Sequence, residues 1–282
     1  MILVIGSNGM LGQDLLALLG EQGRGVDLPD INITDMRSVQ QVLTALKPRV
    51  VVNCAAYTDV DGCESDAETA MQVNAEGVAF LAMITRELGA KLVQISTDYV
   101  FDGSKGSSYR EDDLQKPLNI YGESKLAGEL NVDINPDNLL VRTQWLYGLH
   151  GKNFVETMLR LGREKSKLTV VDDQIGSPTW TIDLARGILA LIDKDCRGVY
   201  HCANSGHTSW NGFAKAIFAA SGMQVSVLPM TTEQLNRPAR RPLYSTLDCS
   251  KLAADTGFTA QPWQEALQQY LTQRSKEPCN GA

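Results

Sequence analysis

The chain has 282 residues, 43% hydrophobic and 21% charged, the balance of a globular protein rather than a disordered, fibrous or coiled-coil one. At roughly 150 residues per domain this length allows one large or two smaller domains. No apolar run approaches the roughly 20 residues needed to span a bilayer. With 26 basic against 33 acidic residues the net charge is −7, which argues against a general nucleic-acid binder while permitting a small anionic ligand held by local arginines.

The opening Met1-Ile2-Leu3-Val4-Ile5-Gly6 has no basic n-region and no cleavage site, so no signal peptide is expected. Ile2–Ile5 reads as a strand, followed by a helix over about 10–19, a short strand near 25–27 and a helix over 36–46. The Val-Val-Val run of Val50–Asn53 predicts a strand buried on both faces. A long helix over 68–88 precedes a buried strand over 91–95. A helix over 121–131 and strands over 138–142 and 167–171 complete the first part. Strands alternating with helices predict an α/β fold, a Rossmann-type doubly wound parallel sheet with right-handed crossovers. The rhythm then changes. Residues 174–179 read as a loop, helices are expected at about 181–193, 209–221 and 263–272, and short strands at 198–202 and 225–228. This gives a dinucleotide-binding domain over 1–172 and a smaller α+β substrate-binding cap over 173–282, with room for the chain to cross back between them. The tail after about Thr272 is expected to fray.

Cysteines stand at 54, 63, 196, 202, 249 and 279, with no Cys-x-x-Cys pair and no zinc spacing to His150, His201 or His207. Reduced thiols in a cytoplasmic protein are expected.

Gly6-Ser-Asn-Gly9-Met-Leu-Gly12 follows the first strand and opens the first helix. In that setting the first glycine makes the tight turn, the second admits a pyrophosphate and the third packs helix on strand. Free N–H groups of the helix then face the anion. An acid near the end of the second strand suits the ribose hydroxyls of NAD and repels a 2′-phosphate. Both Asp27 and Asp30 qualify. Tyr121 and Lys125 are i and i+4 on one helical face. An ammonium beside a phenol favours the phenolate, which would suit the pair to general acid catalysis of carbonyl reduction. Ser96 and Thr97 close the strand over 91–95, at the end of a parallel sheet where ligands bind. Either hydroxyl could donate to a carbonyl oxygen.

Further segments narrow the reading: Val52-Asn-Cys-Ala-Ala-Tyr-Thr-Asp-Val60, Ser96-Thr-Asp-Tyr-Val-Phe-Asp-Gly103, Pro117 to Glu129, Val141-Arg-Thr-Gln-Trp-Leu-Tyr147, Asp172 to Thr179 and Arg237-Pro-Ala-Arg-Arg-Pro242. With the glycine turn they span residues 1 to about 265. Together they resemble the dTDP-4-dehydrorhamnose reductases of the extended short-chain dehydrogenase/reductase superfamily. That resemblance implies reduction of the 4-keto group of dTDP-4-dehydro-β-L-rhamnose by NADH or NADPH, for surface-polysaccharide synthesis. It implies Tyr121 as proton donor, Lys125 as its tuner and ribose ligand, and Thr97 rather than Ser96 on the reacting oxygen. Asp98 and Trp145 would meet the sugar. Gly6, Gly9, Met10, Leu11 and Gly12 would hold the pyrophosphate, Ala55, Ala56 and Tyr57 would flank the cofactor, and Asp27, or Asp30 with Ile31, would take the adenosine. Magnesium accompanies some members, but no carboxylate cluster for it is evident here. A homodimer is compatible with the family. Arg240 and Arg241 are expected on the phosphates of the sugar nucleotide, because guanidinium forks suit phosphate oxygens. Related nucleotide-sugar reductases or epimerases, and a non-catalytic cofactor-binding subunit such as the methionine adenosyltransferase β subunit, are the alternatives. A dehydratase is disfavoured because Tyr99, not an acid, follows Asp98.

Overall fold

The computed structural model describes residues 1–132 and 135–276. Six parallel strands form the central sheet in the order β10-β5-β4-β3-β1-β2. Here β1 is Ile2–Ile5, β2 Gly23–Val26, β3 Val50–Asn53, β4 Lys91–Thr97 and β5 Leu139–Thr143. Four short or lateral strands come next: β6 Leu146–Tyr147, β7 Lys167–Val171, β8 Ile175–Gly176 and β9 Thr179–Trp180. Then follow β10 Gly198–His201, β11 Thr208–Ser209 and β12 Ser226–Met230. From β1 the chain crosses first to β2 on one side and then to β3 on the other, which opens a crevice above the carboxyl ends of β1 and β3. The valines of β3 are buried on both faces, as their run predicts: Val50 and Val52 pack with one hydrophobic cluster, Val51 with the other.

Helices α1 (Met10–Leu19) and α8 (Thr181–Asp193) cover the first face. On the second face lie α2 (Met36–Leu46), α5 (Gly77–Glu87) and α6 (Ile120–Val132). The expected long helix over 68–88 is a composite of α4 (Ala67–Met71), a π-helical segment Gln72–Glu76 and α5, preceded by α3 (Val60–Ser65). The wide π turn places Asn74 against the segment that follows β3.

A second core gathers α7 (Phe154–Glu164), α9 (Trp210–Ala220) and α12 (Trp263–Arg274) around Tyr147, Trp180, Phe213 and Tyr270. The small helices α10 (Thr232–Leu235) and α11 (Ser250–Thr256) complete the described chain. Sequence periodicity missed α7, which Asn153 caps by accepting from the Glu156 N–H at 3.1 Å.

Lys167–Val171 is a strand as expected, but it lies outside the central sheet and pairs with β12 instead. The reason is partial burial: Lys167 and Thr169 are exposed and Leu168 only partly covered, whereas a central strand is covered on both faces along its length. The edge beside β5 is taken by β10, from beyond residue 172. The chain therefore crosses that boundary in both directions: α7 and β7 pack in the second core, while α8 and β10 pack on the first. The tail holds its helix to Arg274, whose Nη2 donates to Glu156 at 2.8 Å. Cys279 lies outside the described residues.

Candidate active site

The glycine turn is demanded by packing. Gly6 has a φ of +75°, and a Cβ there would lie 2.6 Å from the Ala55 nitrogen. At Gly12 a Cβ would lie 2.3 Å from the Gly6 carbonyl oxygen. Gly9, Met10, Leu11 and Gly12 line a cleft of about 590 Å³. No side chain caps α1, and its first turn carries no acid, so its leading N–H groups and positive dipole end face that cleft. This cradle fits a dinucleotide pyrophosphate. Asp27 accepts from the Asn8 N–H at 2.9 Å and the Leu28 N–H at 2.8 Å, so it shapes the turn. Asp30 is exposed, three residues on. Ile31 is 2% exposed, with its side chain in the core of the second face; that side chain is not presented to the cleft.

Beyond β3 the extended backbone alternates. Cys54, Ala56 and Thr58 face the cleft, whereas Ala55 packs against the core and Tyr57 joins a cluster with Cys63 and Ala70. Of the three residues expected beside a cofactor, Ala56 is therefore the one exposed to the cleft. Asn74, which carries no signal in the sequence, holds this segment in place. Its Oδ1 accepts from the Tyr57 N–H at 2.9 Å, and its Nδ2 donates to the Tyr57 carbonyl and the Ser124 hydroxyl, each at 3.0 Å.

Thr97, Asp98, Tyr121 and Lys125 meet on the same cleft. The two hydroxyls ending β4 have different partners. Ser96 donates to the buried Glu129 carboxylate at 2.5 Å, on the side of the Arg142 ion pair. Thr97 faces the cleft together with the Tyr121 phenol. Tyr121 is 9% exposed, with its ring edge-on to Tyr99 at 5.5 Å between centroids. Burial pushes its pKa up, and the hydrogen bond to Thr97 only partly opposes this. Desolvation rather than the Lys125 charge governs the phenol, which is held in its proton-bearing form. The Lys125 ammonium is anchored on the Ile95 carbonyl at 2.7 Å. Burial pulls its pKa down to about 8, against the opposing charge of Glu129. Asp98 lines the cleft but is 1% exposed, and both its oxygens accept from hydroxyls, of Thr97 at 3.1 Å and Ser245 at 2.5 Å. Its geometry is that of a support behind Thr97 rather than of a free sugar contact.

Trp145 sits at φ +48°, a left-handed conformation uncommon for a bulky residue and typical of strained functional positions. It stacks on Trp210 with centroids 3.6 Å apart and planes 8° apart, and Phe154 leans on Trp210 at 4.5 Å. Lys152 lines the same cleft, next to Gly151, which lies against Met10 of α1. A second cleft of about 490 Å³ shares Tyr99, Phe154 and Trp210 with the first and continues to Asp61, Arg237 and Arg241. Arg241 donates to Asp61 at 3.0 and 2.9 Å. Burial alone would raise the Asp61 pKa, but hydrogen bonds from Arg241 and the Ala239 N–H, with the charges of Arg241 and Arg237, hold it below the usual carboxylate range. Arg240, expected beside Arg241, lines neither cleft. Its side chain is exposed and its carbonyl accepts from Asn119 at 2.6 Å, because successive residues of an extended loop point to opposite sides. Trp210, Phe154, Lys152 and Asp61 escaped the sequence reading because they reach the site only through long-range packing.

Among the described residues no group of three or more His, Cys, Asp or Glu side chains converges as a metal site. The cysteines at 54, 63, 196, 202 and 249 are free thiols. No helix among the described residues is long and apolar enough to cross a membrane.

Comparison with known proteins agrees with this geometry. Residues 1–276 match the RmlD substrate binding domain family. A dTDP-4-dehydrorhamnose reductase from Streptomyces griseus is 45% identical over 276 residues, covering 94% of this chain and 91% of its own. The crystal structure of a dTDP-4-dehydrorhamnose reductase from Clostridium acetobutylicum superimposes with a TM-score of 0.95 at 43% identity, covering 97% of this chain and 99% of its own. That of the Bacillus anthracis dTDP-4-dehydrorhamnose reductase, solved in complex with NADP, does so at 0.94 and 41% identity, covering 96% and 98%. A glycine cradle, a Thr-Tyr-Lys cluster and this full-length similarity lead to one conclusion: the chain belongs to the dTDP-4-dehydrorhamnose reductase family.

Proposed function

We propose that the protein reduces the 4-keto group of dTDP-4-dehydro-β-L-rhamnose to dTDP-β-L-rhamnose, with NADH or NADPH as reductant, in the supply of activated rhamnose for surface polysaccharides. The observation that carries this reading is the convergence of Thr97, Tyr121 and Lys125 on one cleft with the glycine cradle. Gly9, Met10, Leu11 and Gly12 would hold the cofactor pyrophosphate, Asp27 the adenosine ribose, and Cys54, Ala56 and Lys125 the nicotinamide half. When bound, the reduced nicotinamide supplies a hydride to the carbonyl carbon. Tyr121 gives its proton to the carbonyl oxygen, Thr97 donates a hydrogen bond to that oxygen, and Lys125 stabilises the phenolate that remains. The stacked Trp145 and Trp210 offer an aromatic wall to the sugar nucleotide. Arg241 and Arg237 supply cations for its diphosphate. The free thiols support a cytoplasmic, reducing setting.

Tyr121→Phe removes the proton donor and little volume. General acid catalysis contributes about 10²–10⁴ in rate, so turnover should fall at least 10²-fold while fluorescence titration still shows NADPH binding. Turnover is followed by loss of reduced-nicotinamide absorbance with dTDP-4-keto sugars. A variant that keeps wild-type turnover overturns the assignment.

A further inference from the structure

The side chain behind the reacting hydroxyls is an acid that forms no ion pair among the described residues. Asp98 follows β4, 1% exposed. Thr97 Oγ1 donates to its Oδ1 at 3.1 Å, and Ser245 Oγ donates to its Oδ2 at 2.5 Å. Thr97 Oγ1 also accepts the Tyr99 N–H at 3.2 Å, and it lines the same cleft as the Tyr121 phenol. A threonine hydroxyl has one proton to give, and an ionised carboxylate can only accept. While Asp98 carries its charge, the Thr97 proton is committed to it, and the Tyr121 proton turns towards the freed lone pair on Thr97. Both donors then point away from a carbonyl in the cleft. With a proton on Asp98 the chain reverses. The acid donates to Thr97, and Thr97 and Tyr121 can both aim at the carbonyl oxygen.

We propose that Asp98 is a positioning residue whose protonation state sets the direction in which Thr97 and Tyr121 donate, so that carbonyl reduction runs on the enzyme form with a neutral Asp98. This rests on the keto-reductase reading above. The electrostatic surroundings agree. Burial lifts the Asp98 pKa to about 7, with the Ser245 and Thr97 hydrogen bonds opposing. The groups around it are the Tyr99 and Tyr121 phenols, both pushed up by burial, the Arg241–Asp61 pair beyond Tyr99, Cys63 beside Tyr121, and Lys125 on its own carbonyl anchor. The acid therefore switches near neutrality without an ion pair to hold it charged.

The test compares kcat for wild type and Asp98→Asn with a dTDP-4-keto sugar across the neutral range. In the variant, Ser245 donates to the oxygen of the introduced amide, which turns the amide N–H towards Thr97 and reproduces the neutral acid at every pH. A group with a pKa near 7 is about one-tenth protonated one unit above it, so the ratio of variant to wild-type kcat should rise about ten-fold between about pH 6 and about pH 8. Any alkaline loss due to Lys125 affects both enzymes and cancels in the ratio. Ser245→Ala removes a donor that favours the carboxylate, so it should move the wild-type alkaline limb to higher pH. A ratio that stays constant with pH, or an Asp98→Asn enzyme that binds NADPH but is inactive throughout, overturns the proposal. Should Asp98→Asn fail to fold, the Ser245→Ala limb decides alone, and an unmoved limb overturns the proposal. Wild-type protein that turns over no dTDP-4-keto sugar overturns the keto-reductase reading and this one with it. Turnover with a constant ratio overturns only this one.

Discussion

Arg241 donates two hydrogen bonds to Asp61 and lines the second cleft, while its neighbour Arg240 faces outward. A guanidinium already oriented by a half-buried carboxylate loses little further freedom when it meets a phosphate. A hydrogen bond to a charged group contributes about 1.5–3 kcal/mol, or about ten-fold and more in affinity. Arg241→Ala should therefore raise the substrate KM by about ten-fold and leave the NADPH Kd within about two-fold. Arg240→Ala keeps the carbonyl that Asn119 uses and should change neither. Steady-state kinetics with fluorescence titration of NADPH checks both. Equal effects from the two substitutions would remove the loop from the binding site.

Helix α6 carries chemistry and support on one stripe. Tyr121, Lys125 and Glu129 follow at i, i+4 and i+8, all buried. Glu129 receives Arg142 through Nε at 2.9 Å and Nη2 at 2.7 Å, together with the Ser96 hydroxyl, so the helix is fastened to β4 and β5 beneath Tyr121 and Lys125. Arg142 also meets the His201 ring at 3.4 Å. Burial, then the Arg142 charge, pulls the His201 pKa down to about 3, so the imidazole stays neutral and can accept from the guanidinium. Removing one member of a buried ion pair leaves the other charged and desolvated, at about 3–5 kcal/mol. Glu129→Ala should lose about that much stability in urea unfolding. It should also let the Lys125 pKa drop below its present value of about 8, because the Glu129 charge is what raises it against burial. The alkaline loss of activity would then begin at lower pH. A variant of wild-type stability would show that Arg142 finds another partner.

At the scale of the whole molecule the two cores share one chain that passes back and forth. Strand β10 closes the edge of the central sheet beside β5, and α8 covers α1, although both come after residue 172. A fragment of residues 1–172 would expose the apolar face of α1 and an unpaired strand edge. It should lack a cooperative thermal transition, whereas the full chain should unfold with one; calorimetry of both distinguishes the cases, and a cooperative fragment would mean that the first core is self-sufficient. What the amino-acid sequence determined by itself is what local chemistry encodes. The three glycines, the valine run of β3, the Tyr121–Lys125 spacing and a pair of hydroxyls at a strand end are each legible within a few residues, because turn geometry, strand burial and helical periodicity are short-range. Tertiary structure alone decided the rest. Ser96 and Thr97 are adjacent and equivalent in sequence, and only the buried Glu129–Arg142 pair on one side separates them. Trp145 meets Trp210, and Arg241 meets Asp61, across long stretches of chain, where no spacing rule operates. The Tyr121 pKa is governed by burial more than by the lysine one turn away, because desolvation depends on everything packed around the phenol and not on its helix alone.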